Sequence, residues 1–196
     1  AEIRAVFGPD DLITPDDVRG SRPTLEQAVL TDGWPTLAQG RGKVMFLMDN
    51  GGSYRTRYLA GHPSLQGRVL FTNANPGDAD AAFVERNDAK GRKAQIQDLV
   101  RAGYVVRTRA DSPGGEVATN DTSTLEAALA SGAQWVSTDY PVSGYSSYFG
   151  TDYVARLPEG AVARCNPVNG VAGCYPLGLD NVHTPTDPPP PIPPLP

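Results

Sequence analysis

Four short apolar runs constrain the fold of this chain more than any other feature. They are Lys43–Met48 (KVMFLM), Arg68–Thr72 (RVLFT), Tyr104–Thr108 (YVVRT) and Trp135–Thr138 (WVST). Each is too continuous for a strand with one face in water and too short for a helix. Runs of this kind, separated by helices or long loops, predict a parallel sheet buried on both faces. The intervening helices are legible. Residues 90–102 put Ile96, Leu99 and Val100 on one face and stop at Gly103. Residues 122–130 open on Thr/Ser, turn Leu125, Ala128 and Leu129 inward and stop at Gly132. Glycine just past the last helical residue is the usual helix terminator. The last two units therefore repeat one grammar: amphipathic helix, glycine, apolar strand, polar strand end.

Upstream, Ala1–Phe7 reads as the end of an amphipathic helix stopped by Gly8-Pro9. Residues 9–23 read as a loop rich in Asp, Pro and Gly, and Thr24 with Gln27 predicts a capped helix over 24–30. Four strand units entered from an orphan helix suggest half of an eight-unit barrel, because a full (β/α)8 barrel takes about 250 residues and this chain has 196. The expected fold is thus α/β, the C-terminal half of a TIM-type (β/α)8 barrel with a proline-rich C-terminal tail. An open doubly wound sheet is the alternative, but no glycine-rich phosphate loop follows any run. The expected division is a barrel half over 1–184 and a tail or linker over 185–196 (PTDPPPPIPPLP, from Pro185), where polyproline is extended and semi-rigid.

Composition excludes some functions. A net charge of -5 and a pI of about 5.0 give no footprint for nucleic acid. No run approaches the roughly 18 apolar residues of a membrane span. The two cysteines, Cys165 and Cys174, lie close together in a Gly/Pro/Asn-rich stretch without His or Cys neighbours, which suits a short-loop disulfide better than a metal site. Two unrelated buried thiols are the alternative. A bridge would mean an oxidising compartment, and the expected localisation is secreted.

In a barrel the reacting groups sit at the C-terminal ends of the strands. That rule selects Asp49 and Asn50, then Asn73 and Asn75, then Arg107, Arg109 and Asp111, then Asp139 and Tyr140. Arg107 and Arg109 are two apart on a strand and share a side. Two planar guanidinium forks suit phosphate oxygens, although pairing with Asp111, Glu116 or Asp139 is the structural alternative. Asp139 and Tyr140 could hold polyol hydroxyls. Asp49 could contribute oxygen to a hard cation or simply make a turn. His62, in a Gly-His-Pro turn, and His183, before the tail, are expected at the surface, so no general acid/base pair is visible.

The stretches DGWPTL (from Asp32), RGKVMFLMDN (from Arg41), VVRTRADS (from Val105) and SGAQWVSTDYP (from Ser131), preceded by FGPDDLITPDDVRG (from Phe7), resemble the C-terminal half of the bacterial calcium-dependent phosphatidylinositol-specific phospholipase C family. The resemblance covers about residues 1–169. It implies a secreted barrel enzyme that cleaves phosphatidylinositol to diacylglycerol and a cyclic inositol phosphate. It also implies Ca2+ as cofactor and catalytic histidines, both supplied mainly by the other half of the barrel, so the fragment alone is expected to be inactive. Arg107 best matches the family's inositol-contacting arginine, with Arg109, Asp139, Tyr140 and Asp49 as further substrate-binding candidates. The implied partners are the phosphatidylinositol headgroup, a peripheral membrane surface and the other barrel half. The TDYP ending also resembles glycerophosphodiester phosphodiesterases, and a non-catalytic headgroup or carbohydrate binder is the third reading.

Overall fold

The computed structural model describes residues 2–161 and 163–175. His183, the boundary at 184 and the proline-rich segment 185–196 lie outside the described residues.

The chain opens with α1 (Glu2–Val6), whose following residue Phe7 stacks edge-on against Phe46 at 5.4 Å. The segment expected as a loop at 9–23 is more ordered than its Asp/Pro/Gly content suggests. It holds a 3-10 turn at Pro9–Asp11 and helix α2 (Pro15–Arg19). The Thr14 backbone N–H donates to Asp17 at 2.7 Å, and Pro15 takes the first helical position, where a missing N–H does no harm. Next come α3 (Leu25–Thr31), capped as expected by Thr24 accepting from the Gln27 N–H at 3.0 Å, and α4 (Leu37–Gly40).

The sheet contains five strands among the described residues, one more than the apolar runs suggest. They are β1 (Phe46–Met48), β2 (Leu70–Thr72), β3 (Phe83–Glu85), β4 (Val105–Arg109) and β5 (Trp135–Ser137). Helix α5 (Gly52–Leu59) joins β1 to β2, α6 (Ala89–Ala102) joins β3 to β4, and α7 (Ser123–Ser131) joins β4 to β5. The extra strand, β3, lies in AAFVE (from Ala81), a stretch whose two alanines give little strand signal.

Pairing is parallel throughout and follows chain order: β1 on β2, then β3 on β4 on β5, with one parallel bridge, Asn73 to Phe83, joining the two sets. A doubly wound sheet would reverse its order at a switch point; these strands do not. Nor do they close into a barrel. Burial on both faces is closest to complete at Phe71, Thr72, Phe83 and Val84 of β2 and β3; β4 alternates buried and half-buried residues, β1 is only half-buried and Trp135 of β5 is exposed.

The core sits where α2, α3 and α6 meet the middle strands. Val18, Leu25, Val29, Phe71, Phe83, Val84, Ile96, Val100 and Val106 form one buried cluster. Gly103 fixes the turn from α6 into β4. Its φ of 106° is left-handed, and a Cβ there would come within 2.8 Å of the Val29 carbonyl, so glycine is required. The Trp34 indole N–H donates to the Gly103 carbonyl at 2.9 Å and its ring meets Phe71 at 5.3 Å.

Cys165 and Cys174 form the expected disulfide, with Cα atoms 6.0 Å apart. The bridged segment and Arg164 just before it lie over the C-terminal ends of α6 and α7, where carbonyls accept its side-chain donors. Arg164 donates to Leu129, Asn166 donates to Gly132 at 2.7 Å, and Asn169 donates to Val100 at 3.3 Å.

Candidate functional site

Side chains alternate across a strand, so the register fixes which ones share a face. Phe83 pairs with Val105, Glu85 with Arg107, Arg107 with Trp135 and Arg109 with Ser137. Carried through the Asn73–Phe83 bridge and the Leu47–Phe71 pair, one face holds Met45, Leu47, Asp49, Phe71, Asn73, Phe83, Glu85, Arg107, Arg109 and Trp135. The face is apolar at the strand starts and charged at the strand ends. A depression of about 420 Å³ there is lined by Met45, Leu47, Arg107, Trp135, Val136 and Ser137.

Arg107 sits at the centre of the charged end. Its Nη1 donates to Glu85 and reaches the Asp49 carboxylate at 3.4 Å. Glu85 also accepts from Asn87 and, at 3.0 Å, from the Asn73 side-chain amide, while its own backbone N–H donates to the Asn73 Oδ1 at 3.1 Å. Burial, followed by the Asp49 carboxyl beside it, pushes the Glu85 carboxyl above its ordinary value; Asn87 and Arg107 oppose that shift. The centre is thus a guanidinium between two carboxylates, one of which, Asp49, is 60% exposed.

Arg109 is held differently. Its Nη2 donates to Asp139 at 2.9 Å, and its Nε is buried without a hydrogen-bond partner among the described residues. The next strand-end group, Asp111, turns away from this face into the protein, where Thr138 donates to it at 2.5 Å and the Tyr153 hydroxyl at 3.3 Å. Burial, reinforced by Asp111, raises the Tyr153 phenol above the ordinary tyrosine range.

Four of the five sequence-selected substrate residues, Arg107, Arg109, Asp49 and Asp139, lie together at the strand ends. The fifth, Tyr140, does not join them. It is 8% exposed and packs edge-on against Tyr153 at 6.1 Å and Phe149 at 6.5 Å, in a second apolar cluster with Val117. Glu116, weighed as an arginine partner, instead accepts from Ser112 and Thr124. His62 is half-buried rather than at the surface, with Nδ1 2.6 Å from the Gln66 carbonyl inside its turn. Sequence reasoning missed Glu85 and Asn87. The available signal was the apolar AAFV stretch ending in Glu between Pro-Gly and Asn-Asp, a strand with a polar end whose two alanines weaken the pattern.

The donor set does not suit a resident calcium ion. Calcium takes six to eight oxygens, yet among the described residues no three acidic, histidine or cysteine side chains gather as a metal site. The two carboxylates that do face each other already share a guanidinium. Among the described residues no helix is long and apolar enough to cross a membrane.

Fold and site together define an α/β protein whose parallel strands present a charged site at their C-terminal ends. The chain belongs to the calcium-dependent phosphoinositide phospholipase C family, whose family model matches residues 1–167. The family name carries a phosphodiester-cleaving activity on phosphoinositides and a dependence on calcium. No curated protein and no solved structure matches the chain.

Proposed function

We propose that the protein is a secreted phospholipase C that cleaves phosphatidylinositol, and that this chain supplies the headgroup-holding side of the site. The observation that carries the reading is the shared face of Arg107 and Arg109, fixed by the register with Glu85 and Ser137. Chain-order parallel pairing supports an arc of a (β/α)8 barrel whose remaining strands lie elsewhere in the complete protein. The disulfide supports an oxidising compartment.

The two arginines divide the work. Arg107, already bridged to Glu85 and Asp49, presents those carboxylates as acceptors for inositol hydroxyls and places positive charge beneath the ring. Arg107 also faces the charge that develops on the phosphoryl oxygens, while Arg109, its Nε enclosed and its Nη2 on Asp139, adds a second positive charge at the same strand ends. Asp139 anchors the Arg109 guanidinium through one hydrogen bond. Tyr140 acts from behind, packing the wall that carries Asp139. Attack of an inositol hydroxyl on phosphorus needs a base, and calcium needs ligands; neither set is assembled by these residues, and both are assigned to the barrel's other half.

The test is product analysis with the complete protein. A cyclic inositol phosphate detected by phosphorus NMR supports the reading; free glycerol phosphate would move the protein to the glycerophosphodiesterases. Arg107→Ala is expected to lower kcat/KM by about 100-fold or more, the scale seen when a charge-stabilising donor is removed. An unchanged kcat/KM would reject the role.

A further inference from the structure

The carboxylate that anchors Arg109 gains little order from the pair itself. Asp139 is 66% exposed and meets Arg109 through one bond of 2.9 Å, and an exposed ion pair does little to fix its own geometry. Yet the Arg109 Nε is enclosed. The order of the pair therefore has to come from the chain on either side of Asp139.

That chain is tied at both neighbours by one hydroxyl. Thr138 Oγ1 accepts from the Tyr140 backbone N–H at 2.9 Å, closing a tight turn around Asp139, and donates to Asp111 Oδ2 at 2.5 Å. Before the turn, the Ala110 N–H donates to the Ser137 carbonyl at 2.9 Å; beyond it, the Ala155 N–H donates to the Tyr140 carbonyl at 3.0 Å. Asp111 is itself a fixed point. It is 3% exposed, and the hydroxyl of the buried Tyr153 donates to the same Oδ2 at 3.3 Å. Both donors thus converge on one oxygen, while Oδ1 has no hydrogen-bond partner among the described residues. A carboxyl group buried with one oxygen unsatisfied is costly, and such a group calls for a use.

We propose that Asp111 is a positioning residue: through the Thr138 hydroxyl it sets the turn that aims Asp139, and through Asp139 it sets the Arg109 guanidinium at the strand ends. Asp111 touches no substrate. Its effect on the reaction is geometric, since a charged group misplaced by about 1 Å at a reacting centre can cost orders of magnitude in rate. The alternative, that Asp111 only braces the segment carrying Tyr153, gives it no route to Arg109. The inference rests on the headgroup reading for its place in the reaction, and the relay from Asp111 to Arg109 is measurable without that reading.

In the complete protein, Thr138→Val keeps the shape of the side chain and removes its hydroxyl. It is expected to lower kcat/KM on phosphatidylinositol roughly tenfold or more, and Thr138→Ser, which restores the hydroxyl, to recover it. In an Asp139→Ala background the same Thr138→Val change should cost almost nothing further, because members of one chain of contacts are not additive. Independently of catalysis, hydrogen exchange at the Arg109 Nε–H, followed by nitrogen-15 NMR, should be at least about tenfold faster in Thr138→Val than in the wild type, as the enclosed group is released. An unchanged exchange rate, an unchanged kcat/KM or a loss that persists in the Asp139→Ala background overturns the proposal. Asp139→Glu checks the same point at an exposed position where folding is not at stake. A carboxylate aimed by its own turn cannot be moved out by one methylene, so this variant should fall with Asp139→Ala, and wild-type activity in it would also overturn the proposal. Should the complete protein cleave no phosphatidylinositol while Thr138→Val still releases the Arg109 Nε–H, the phospholipase reading falls and the positioning chain stands.

Discussion

Two arginines in this protein each lie between two carboxylates, and they do different work. Arg55 of α5 grips Asp80 through two bonds, at 2.6 and 3.1 Å, and Asp78 at 2.9 Å, while the Thr72 hydroxyl closes the set at 2.5 Å. Asp80 is 2% exposed, and Thr72 points to the opposite face of β2 from Phe71 and Asn73. Both oxygens of Asp80 are occupied. Arg107 makes one close contact to Glu85 and a looser one to the exposed Asp49, and the Glu85 carboxyl is held above its ordinary proton affinity. A saturated ion cluster locks α5 and the 75–80 turn onto the sheet; an unsaturated one at an open face is available to a ligand. The same residue types become a brace or a site according to how completely the surroundings satisfy them.

The comparison can be broken most directly at Asp80. Asp80→Ala leaves a part-buried guanidinium without its main partner and is expected to cost about 3–5 kcal/mol in denaturant unfolding. A loss under about 1 kcal/mol, the range of an exposed pair, would mean the Arg55 cluster is not a brace.

Acidity sharpens the contrast through two carboxylates shifted in opposite directions. Hydrogen bonds from Thr124 and Ser112 pull Glu116 down to about 2 from an ordinary 4.5. Its stabilising contribution is therefore present above pH 4.5 and is lost as pH falls toward 2. Glu85 is shifted upward, so its contribution is present below its ordinary 4.5 and is lost as pH rises through the higher folded value. Thermal melts across pH should show Glu116→Gln flattening the acid limb, and Glu85→Gln removing a decline above pH 4.5. The same response in both variants would contradict the assignment.

The smallest effect on stability is expected at Asp49. An exposed ion pair contributes about 0–1 kcal/mol, so Asp49→Asn should scarcely move the melt. On the proposed headgroup reading its effect should lie in selectivity: a carboxylate at that face would disfavour extra ring phosphates, and the variant is expected to turn over phosphatidylinositol bisphosphate better relative to phosphatidylinositol than the wild type does. A shifted melt with unchanged selectivity would make Asp49 structural, like Asp80.

Much of this fold is legible along the chain because its signals are local. Thr24 caps α3, Gly103 and Gly132 end α6 and α7 in left-handed turns, and nearby cysteines pair, each decided within a few residues. Four strands announce themselves as apolar runs, and strand alternation alone puts Arg107 and Arg109 on one side. The helix after Thr14 carries a capping signal too, but that signal lies inside a stretch whose Pro and Asp content reads as coil.

What the tertiary structure decided is which distant groups meet. Strand β3 is no shorter than β1, β2 or β5, but it follows two alanines and is fixed by parallel pairing with β4. Glu85 therefore became a site residue only when its register set it beside Arg107, 22 positions on, with Asp49, 58 positions back from Arg107, completing the centre. Tyr140 and Asp139 are adjacent in sequence, yet one is buried against Tyr153 and the other faces Arg109. Backbone propensity and periodicity act over a few residues and can be read from the chain. Charge neutralisation and aromatic packing depend on the whole array, so only the folded molecule could assign them.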